Sequence, residues 1–155
     1  MVTIKIGDRE IPLAMSTYEM ITIQEEVGCT VGEVWDKVFG MRKDVEKGET
    51  YFDIVSDKDR IRKFGILIKI LGNAGLEEEG KAPDLTEKWI LRKMKPAMIT
   101  VYMITVGIVL NDAMKMEADK EQEGPVDVIL AEENRKKEPG SSPTGESAPT
   151  DSLPD

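Results

Sequence analysis

The chain has 155 residues, of which 40% are hydrophobic and 33% charged, a length that suffices for one domain with a buried core. The formal net charge of −9 is uneven: residues 1–116 carry 19 acidic and 17 basic side chains, whereas the rest carries 11 acidic and 4 basic ones. The first part has no basic patch for nucleic acid, and the complete lack of histidine removes the usual general base and the commonest metal ligand.

The N-terminal residues predict a β-hairpin. Val2, Ile4 and Ile6 alternate with polar residues, which is the period of a half-buried strand. A glycine-containing link of three residues, 7–9, separates this run from a second apolar run at 10–15. Pro12 has no amide donor, so the second strand should lie at a sheet edge there.

Two capping signals predict two helices in the next part. Ser16 and Glu19 form a capping box for a helix that runs to about Val27 and stops at Gly28. Thr30 and Glu33 form a second capping box. The helix that follows has one apolar stripe and ends at Gly40; the stripe comprises Val31, Val34, Trp35, Val38 and Phe39.

Residues 41–56 are mostly charged and predict a loop, with a short strand or a turn of helix near 51–55. A helix over about 57–76 follows, capped by Ser56 or Asp57. Gly65 and Gly72 lower the stability of this helix in isolation by about 1 kcal/mol each. They indicate close approach of another helix, which we expect to be 96–116.

The segment 96–116 is predicted to be the central helix. A short helix capped by Asp84 or Thr86 precedes it, and Pro96 suits its first position. Residues 97–110 are uncharged, so the helix is apolar all round and should be covered all round by the other helices. This run of 14 residues is shorter than the roughly 20 that cross a bilayer, so we expect no membrane span.

The predicted fold is therefore mainly α, of the α+β type, with an N-terminal β-hairpin and a bundle of about five helices around helix 96–116. The folded domain should cover residues 1–120. Residues 121–155 form an acidic tail rich in Pro, Ser and Gly, which cannot bury enough apolar area to fold and should be disordered.

No catalytic or cofactor-binding motif is recognisable. Cys29 lies in a turn without an identifiable partner base, and the paired carboxylates fall on solvated helix faces. We find no metal-binding motif, phosphate-binding loop or dinucleotide fingerprint. We therefore expect neither an enzyme nor a cofactor. The single cysteine and the absence of a secretion signal at the N-terminus indicate the cytoplasm.

Three stretches resemble a known family. The chain is similar in three stretches to tail assembly chaperones of long-tailed bacteriophages and prophages. These stretches are the opening VTIKIGDREIPLAMSTYEMITIQEEVG, the helix end LGNAGLEEEG, and the later order of Leu85-Thr86-Glu87, Pro96 and Asn111-Asp112-Ala113-Met114. The resemblance covers roughly residues 1–116. It implies a cytoplasmic chaperone in the bacterial host that binds the tape-measure protein, keeps it soluble, helps recruit tail-tube subunits, and is absent from the virion.

The resemblance also implies a second, longer product made by programmed frameshifting. Lys136-Lys137, with adenine-rich codons, lies where such slippage can occur; two ordinary lysines in a solvated tail are the alternative. Adaptable apolar side chains are the candidates for partner binding, although the same residues would serve as core. These candidates are Trp89, Met94, Met98, Met103, Met114 and Met116.

Three alternatives stay open at this point. The chain resembles in size other phage morphogenesis proteins, such as a tail terminator or a head–tail connector, which would remain in the particle. The second alternative is a homo-oligomeric adaptor or regulator that self-associates through helix 96–116. A membrane-associated helix protein is the third alternative.

Overall fold

The computed structural model describes residues 1–115, and residues 1–113 form one compact unit. The predicted fold class is confirmed, since an N-terminal hairpin is followed by five helices. The predicted tail 121–155, the domain end at 120 and the Lys136-Lys137 pair lie outside the described residues.

The first hairpin forms as predicted. Strand β1 (Thr3–Ile6) pairs antiparallel with β2 (Arg9–Pro12), and Gly7 makes the turn at a φ of 63°. Because successive side chains of a strand point to opposite faces, the apolar side chains lie together on one face of the hairpin. Three isoleucines on that face are at most 3% exposed: Ile4, Ile6 and Ile11. The hairpin therefore contributes one layer of the core.

Helix α1 spans Thr17–Glu26 and has both halves of its predicted capping box. The Ser16 hydroxyl accepts a hydrogen bond from the amide of Tyr18, and the Glu19 carboxylate accepts one from the amide of Ser16. Val27 caps the end of the helix, and the chain turns away at Gly28, whose φ of 87° favours glycine.

The predicted second helix is shorter than its apolar stripe suggested. Residues Val31–Glu33 form a 3₁₀ turn, and helix α2 covers only Val34–Lys37. The stripe nevertheless faces the core, because four of its five side chains are at most 3% exposed: Val31, Val34, Val38 and Phe39. Trp35 is half-buried.

Residues 41–56 are not mainly a loop, so that part of the prediction was wrong, whereas the short strand expected near 51–55 is present in part at Glu49–Phe52. Strand β3 (Met41–Asp44) pairs antiparallel with β4 (Glu49–Phe52) to form a second hairpin. Its turn is stabilised locally: the Asp44 carboxylate accepts hydrogen bonds from two turn amides, and Gly48 has a φ of 68°. Turn chemistry and cross-strand pairing thus compensate for the charged composition.

Helix α3 spans Lys58–Glu78 and is capped by Asp57, as predicted. The expected neighbour of its glycines was wrong. A Cβ on Gly65 would lie 2.8 Å from Leu91 of the next helix, and one on Gly72 would lie 2.5 Å from Leu85 and 2.9 Å from Ile11. The glycines therefore admit helix α4, its preceding loop and the first hairpin, rather than helix 96–116.

Helix α4 spans Glu87–Lys93 and is held against α3 by its own N-terminal loop. The Asn73 side chain donates to the carbonyl of Leu85 at 3.2 Å and accepts from its amide at 3.0 Å. Arg9 forms an ion pair of 2.7 Å with Asp84, which lowers the pKa of that carboxyl group, and its guanidinium lies over the ring of Trp89.

A 3₁₀ turn at Pro96–Met98 leads into helix α5, Ile99–Met114. Pro96 opens this segment as predicted. The expectation that the other helices cover it on every side was wrong, because the folded unit covers only one side of α5.

Candidate functional site

The inner side of α5 belongs to the core. Its six large side chains there are at most 7% exposed: Ile99, Tyr102, Met103, Val106, Val109 and Leu110. The Tyr102 hydroxyl donates a hydrogen bond of 2.9 Å to the carbonyl of Lys5, which ties α5 to strand β1. At Gly107 an added Cβ would lie 3.8 Å from the Trp35 ring, so α2 also lies beside this helix.

The opposite side of α5 carries an apolar row that nothing in the described chain covers. Val101, Ile104 and Ile108 are 48%, 61% and 48% exposed. With exposed Ala97, which lies in the 3₁₀ turn directly before α5, they recur at spacings of four, three and four residues, which is the 3.5-residue period of a coiled-coil seam. We call Ala97, Val101, Ile104 and Ile108 the outer stripe.

The surroundings of the outer stripe are neutral. No Asp, Glu, Lys, Arg or His occurs between Pro96 and Asn111, and exposed Thr100 is the small polar neighbour on one flank. Lys95 precedes the stripe and Asp112 follows it, both exposed. Apolar area without nearby charge is suited to another apolar helix.

Of the six residues predicted from the sequence, the five that the structure describes do not form one exposed surface. Met94 and Met103 are 7% and 4% exposed and serve as core. Trp89 is half-buried under Arg9. Met98 and Met114 are exposed, by 38% and 55%, but lie at the two ends of the segment. Met116 lies outside the described residues.

Sequence reasoning missed the outer stripe. Methionine was favoured there for its flexibility, but the exposed row consists of alanine, valine and isoleucine. The 3.5-residue spacing was a usable signal. It did not identify the exposed side, because the four inner residues Ile99, Met103, Val106 and Leu110 repeat with the same spacing.

The second hairpin exposes further apolar side chains, including Met41, Tyr51 and Val45. Here they are interspersed with charged residues such as Arg42, Lys43 and Glu49. Phe52 is also partly engaged, since its ring packs edge-on against Phe39 at 6.3 Å. The hairpin therefore offers a more polar surface than the outer stripe.

A shallow cleft between α3 and α4 is lined by Arg62, Lys88, Leu91 and Arg92, with Glu87 at its rim. Arg62, Lys88 and Arg92 are exposed and Leu91 is half-buried, and none of the lining residues is a serine, threonine or cysteine. Within residues 1–115, no group of three or more His, Cys, Asp or Glu residues is arranged to hold a metal ion.

Cys29 is 5% exposed, and burial, followed by the nearby Glu33 carboxylate, raises the pKa of its thiol. We expect the native thiol to react with a disulfide reagent at least about tenfold more slowly than the thiol in urea. The thiol has a lower pKa in the unfolded chain than in the folded one. The free energy of unfolding should therefore be highest below the ordinary thiol pKa and should fall as the pH rises above that pKa. A Cys29→Ala variant should lose this component of the pH dependence; an equally reactive native thiol would contradict the assignment.

One helix among residues 1–115 passes the length and composition test for crossing a membrane. It is Pro96–Met114, with 19 residues and a mean hydropathy of 1.6. The helix extends past the uncharged run 97–110, as the predicted bounds 96–116 imply, so the length of that run alone did not exclude a helix of membrane-spanning length. Val106 and Leu110 of this helix are fully buried in the folded unit.

Comparisons with protein-family models, with curated proteins and with solved structures find no match to this chain. Function is therefore inferred from the chain's own surface and from the resemblance in sequence pattern.

Proposed function

We propose that this protein is a tail assembly chaperone of a long-tailed bacteriophage or prophage. In this proposal it binds the tape-measure protein in the host cytoplasm, keeps that long helical chain soluble until tail-tube subunits assemble around it, and then leaves. It makes and breaks no covalent bond. The outer stripe of α5 is the observation that carries the proposal, and the resemblance of residues 1–116 supports it.

The client that fits the outer stripe is an amphipathic helix. Its apolar residues at i, i+3 or i+4, and i+7 would alternate with Val101, Ile104 and Ile108 as knobs into holes. The other side of the helix that carries the stripe is buried and hydrogen-bonded to β1. The backbone of this helix is therefore already ordered, so binding a client costs little further backbone entropy.

The expected affinity is low. Covering the remaining exposed area of each of the three large side chains contributes about 1 kcal/mol, against an association cost of several kcal/mol. Binding at one stripe is therefore weak and readily reversed. That property suits a chaperone that protects a client temporarily and is released before the particle is complete.

Co-expression with the tape-measure gene of the same phage or prophage tests the proposal. The unmodified chain should raise the soluble fraction of the tape-measure protein severalfold, and Ile104→Glu should abolish the gain, because a carboxylate in an apolar helix contact is not solvated. Val45→Glu is the matched control, since Val45 is 90% exposed in the turn of the second hairpin. The proposal fails if the unmodified chain does not raise solubility or if Ile104→Glu works equally well.

The remaining alternatives are distinguished by location. A tail terminator or head–tail connector would be found in purified virions, where the proposed chaperone should be missing. A homo-oligomeric adaptor would self-associate without any effect on tape-measure solubility.

A further inference from the structure

We infer that the outer stripe also pairs two copies of this chain, with their α5 helices antiparallel, and that this pairing covers the stripe before a client arrives. The pairing itself follows from the residues of α5. Only its last step, displacement of the second copy by a client helix, rests on the proposed function.

The outer stripe is complementary to itself when the second helix runs in the opposite direction. Ala97 of one copy then lies level with Ile108 of the other, and Val101 with Ile104. The same two layers repeat by symmetry, which gives four apolar layers in which a small or medium side chain always meets an isoleucine. Such size alternation fills a helix contact well.

The residues beside the stripe follow the same register. Thr100 of one copy lies level with Thr105 of the other, so polar hydroxyls flank the apolar layers on both sides of the contact. Both threonines occupy the border of the exposed face, where solvent reaches them. The contact therefore has an apolar centre and a polar rim.

Charge selects the antiparallel orientation. Lys95 lies before the stripe and Asp112 after it. A parallel pair would place like charges together at each end, whereas an antiparallel pair brings Lys95 of each copy near Asp112 of the other. The helix dipoles also oppose each other favourably in the antiparallel arrangement.

The size of the contact predicts a weak dimer. Four layers on one helix cover far less than the roughly 800 Å² per partner of a stable interface. Pairing should therefore be seen at high concentration only, and an amphipathic client helix can replace the second copy. The second copy is the occupant that the self-complementary register favours in the absence of a client.

Sedimentation equilibrium of the full chain over a wide concentration range tests the pairing. We expect a weak monomer–dimer equilibrium, with Ile104→Glu raising the dissociation constant more than about 100-fold. Val45→Glu should leave it unchanged. A chain that stays monomeric at millimolar concentration, or a dimer insensitive to Ile104→Glu, would overturn the inference. Helical circular dichroism and the urea midpoint of each variant establish that it is folded.

Charge reversal tests the orientation with substitutions at exposed positions. Lys95→Glu and Asp112→Lys should each weaken the dimer about tenfold, because each affects both ends of the symmetric contact. The double variant should return to within about threefold of the original. If it is weaker than either single variant, the antiparallel register is wrong.

The two proposals fail separately. If the dimer responds to the substitutions as expected but the tape-measure protein stays insoluble, the pairing is retained and the chaperone function is rejected. If the chain is strictly monomeric but solubilises the tape-measure protein in a way that depends on Ile104, the chaperone function is retained and the pairing is rejected. If both hold, adding a client-derived amphipathic peptide should dissociate the dimer, and failure to do so would overturn the displacement step.

Discussion

Replacing Gly75 by alanine is expected to lower the free energy of unfolding by about 3 kcal/mol or more, although alanine is the better helix former by about 1 kcal/mol. Gly75 lies in the middle of the last turns of α3, directly against the chain that leaves the first hairpin. An added Cβ would overlap the carbonyl group of Pro12 and approach the amide of Leu13 to 3.0 Å. Backbone atoms cannot rotate away as a side chain can.

The same contact includes a backbone hydrogen bond of 3.1 Å from the amide of Ala14 to the carbonyl of Leu71. Moving the hairpin to admit a methyl group would therefore also break this bond. Urea unfolding followed by circular dichroism measures the loss. Gly32→Ala is the control, because an added Cβ there meets nothing within 4 Å. If Gly75→Ala were as stable as the original chain, the first hairpin would not be packed against α3 as described.

Replacing Phe39 by alanine is expected to cost about 3–5 kcal/mol, the usual range for a buried phenylalanine. Phe39 is 1% exposed and its ring contacts three others edge-to-face: Trp35 at 5.9 Å, Phe52 at 6.3 Å and Phe64 at 5.6 Å. It thereby joins α2, the second hairpin and α3. Phe39→Leu should cost less, because leucine refills most of the space.

Urea unfolding gives the energy, and near-ultraviolet circular dichroism reports the surroundings of Trp35. Tyr51→Thr is a suitable control, since Tyr51 is 53% exposed on the neighbouring strand and threonine retains β propensity. Its effect should stay within about 0.5 kcal/mol. A Phe39→Ala variant with the same small effect would mean that the aromatic cluster does not stabilise the fold.

Local signals in the sequence were sufficient where a helix or turn is determined by its neighbours. The capping box at Ser16 and Glu19, the stop at Gly28 and the first hairpin belong to this class. Local signals failed at 41–56, where the charged side chains did not indicate a hairpin. Each of its two strands is stabilised by pairing with the other. Pairing between strands is not visible in the composition of either one.

The candidate site could be predicted in part only. The sequence identified α5 as the apolar helix, but its inner and outer stripes have the same spacing and nearly the same composition. The choice between them is made by distant residues, such as Lys5 and Trp35, which contact the inner side. Residue type was equally uninformative, since Met103 is buried whereas Met98 is exposed.

The hydrogen bond from Tyr102 to Lys5 joins residues 97 positions apart, which has a consequence during synthesis. The outer edge of β1 is translated first, yet the helix that contacts it is made last among the described elements. An unpaired strand edge is a template for aggregation, and such distant contacts form slowly. Each newly made copy therefore passes through a vulnerable stage on the ribosome, and slowing translation before residue 102 should increase the yield of aggregated nascent chains.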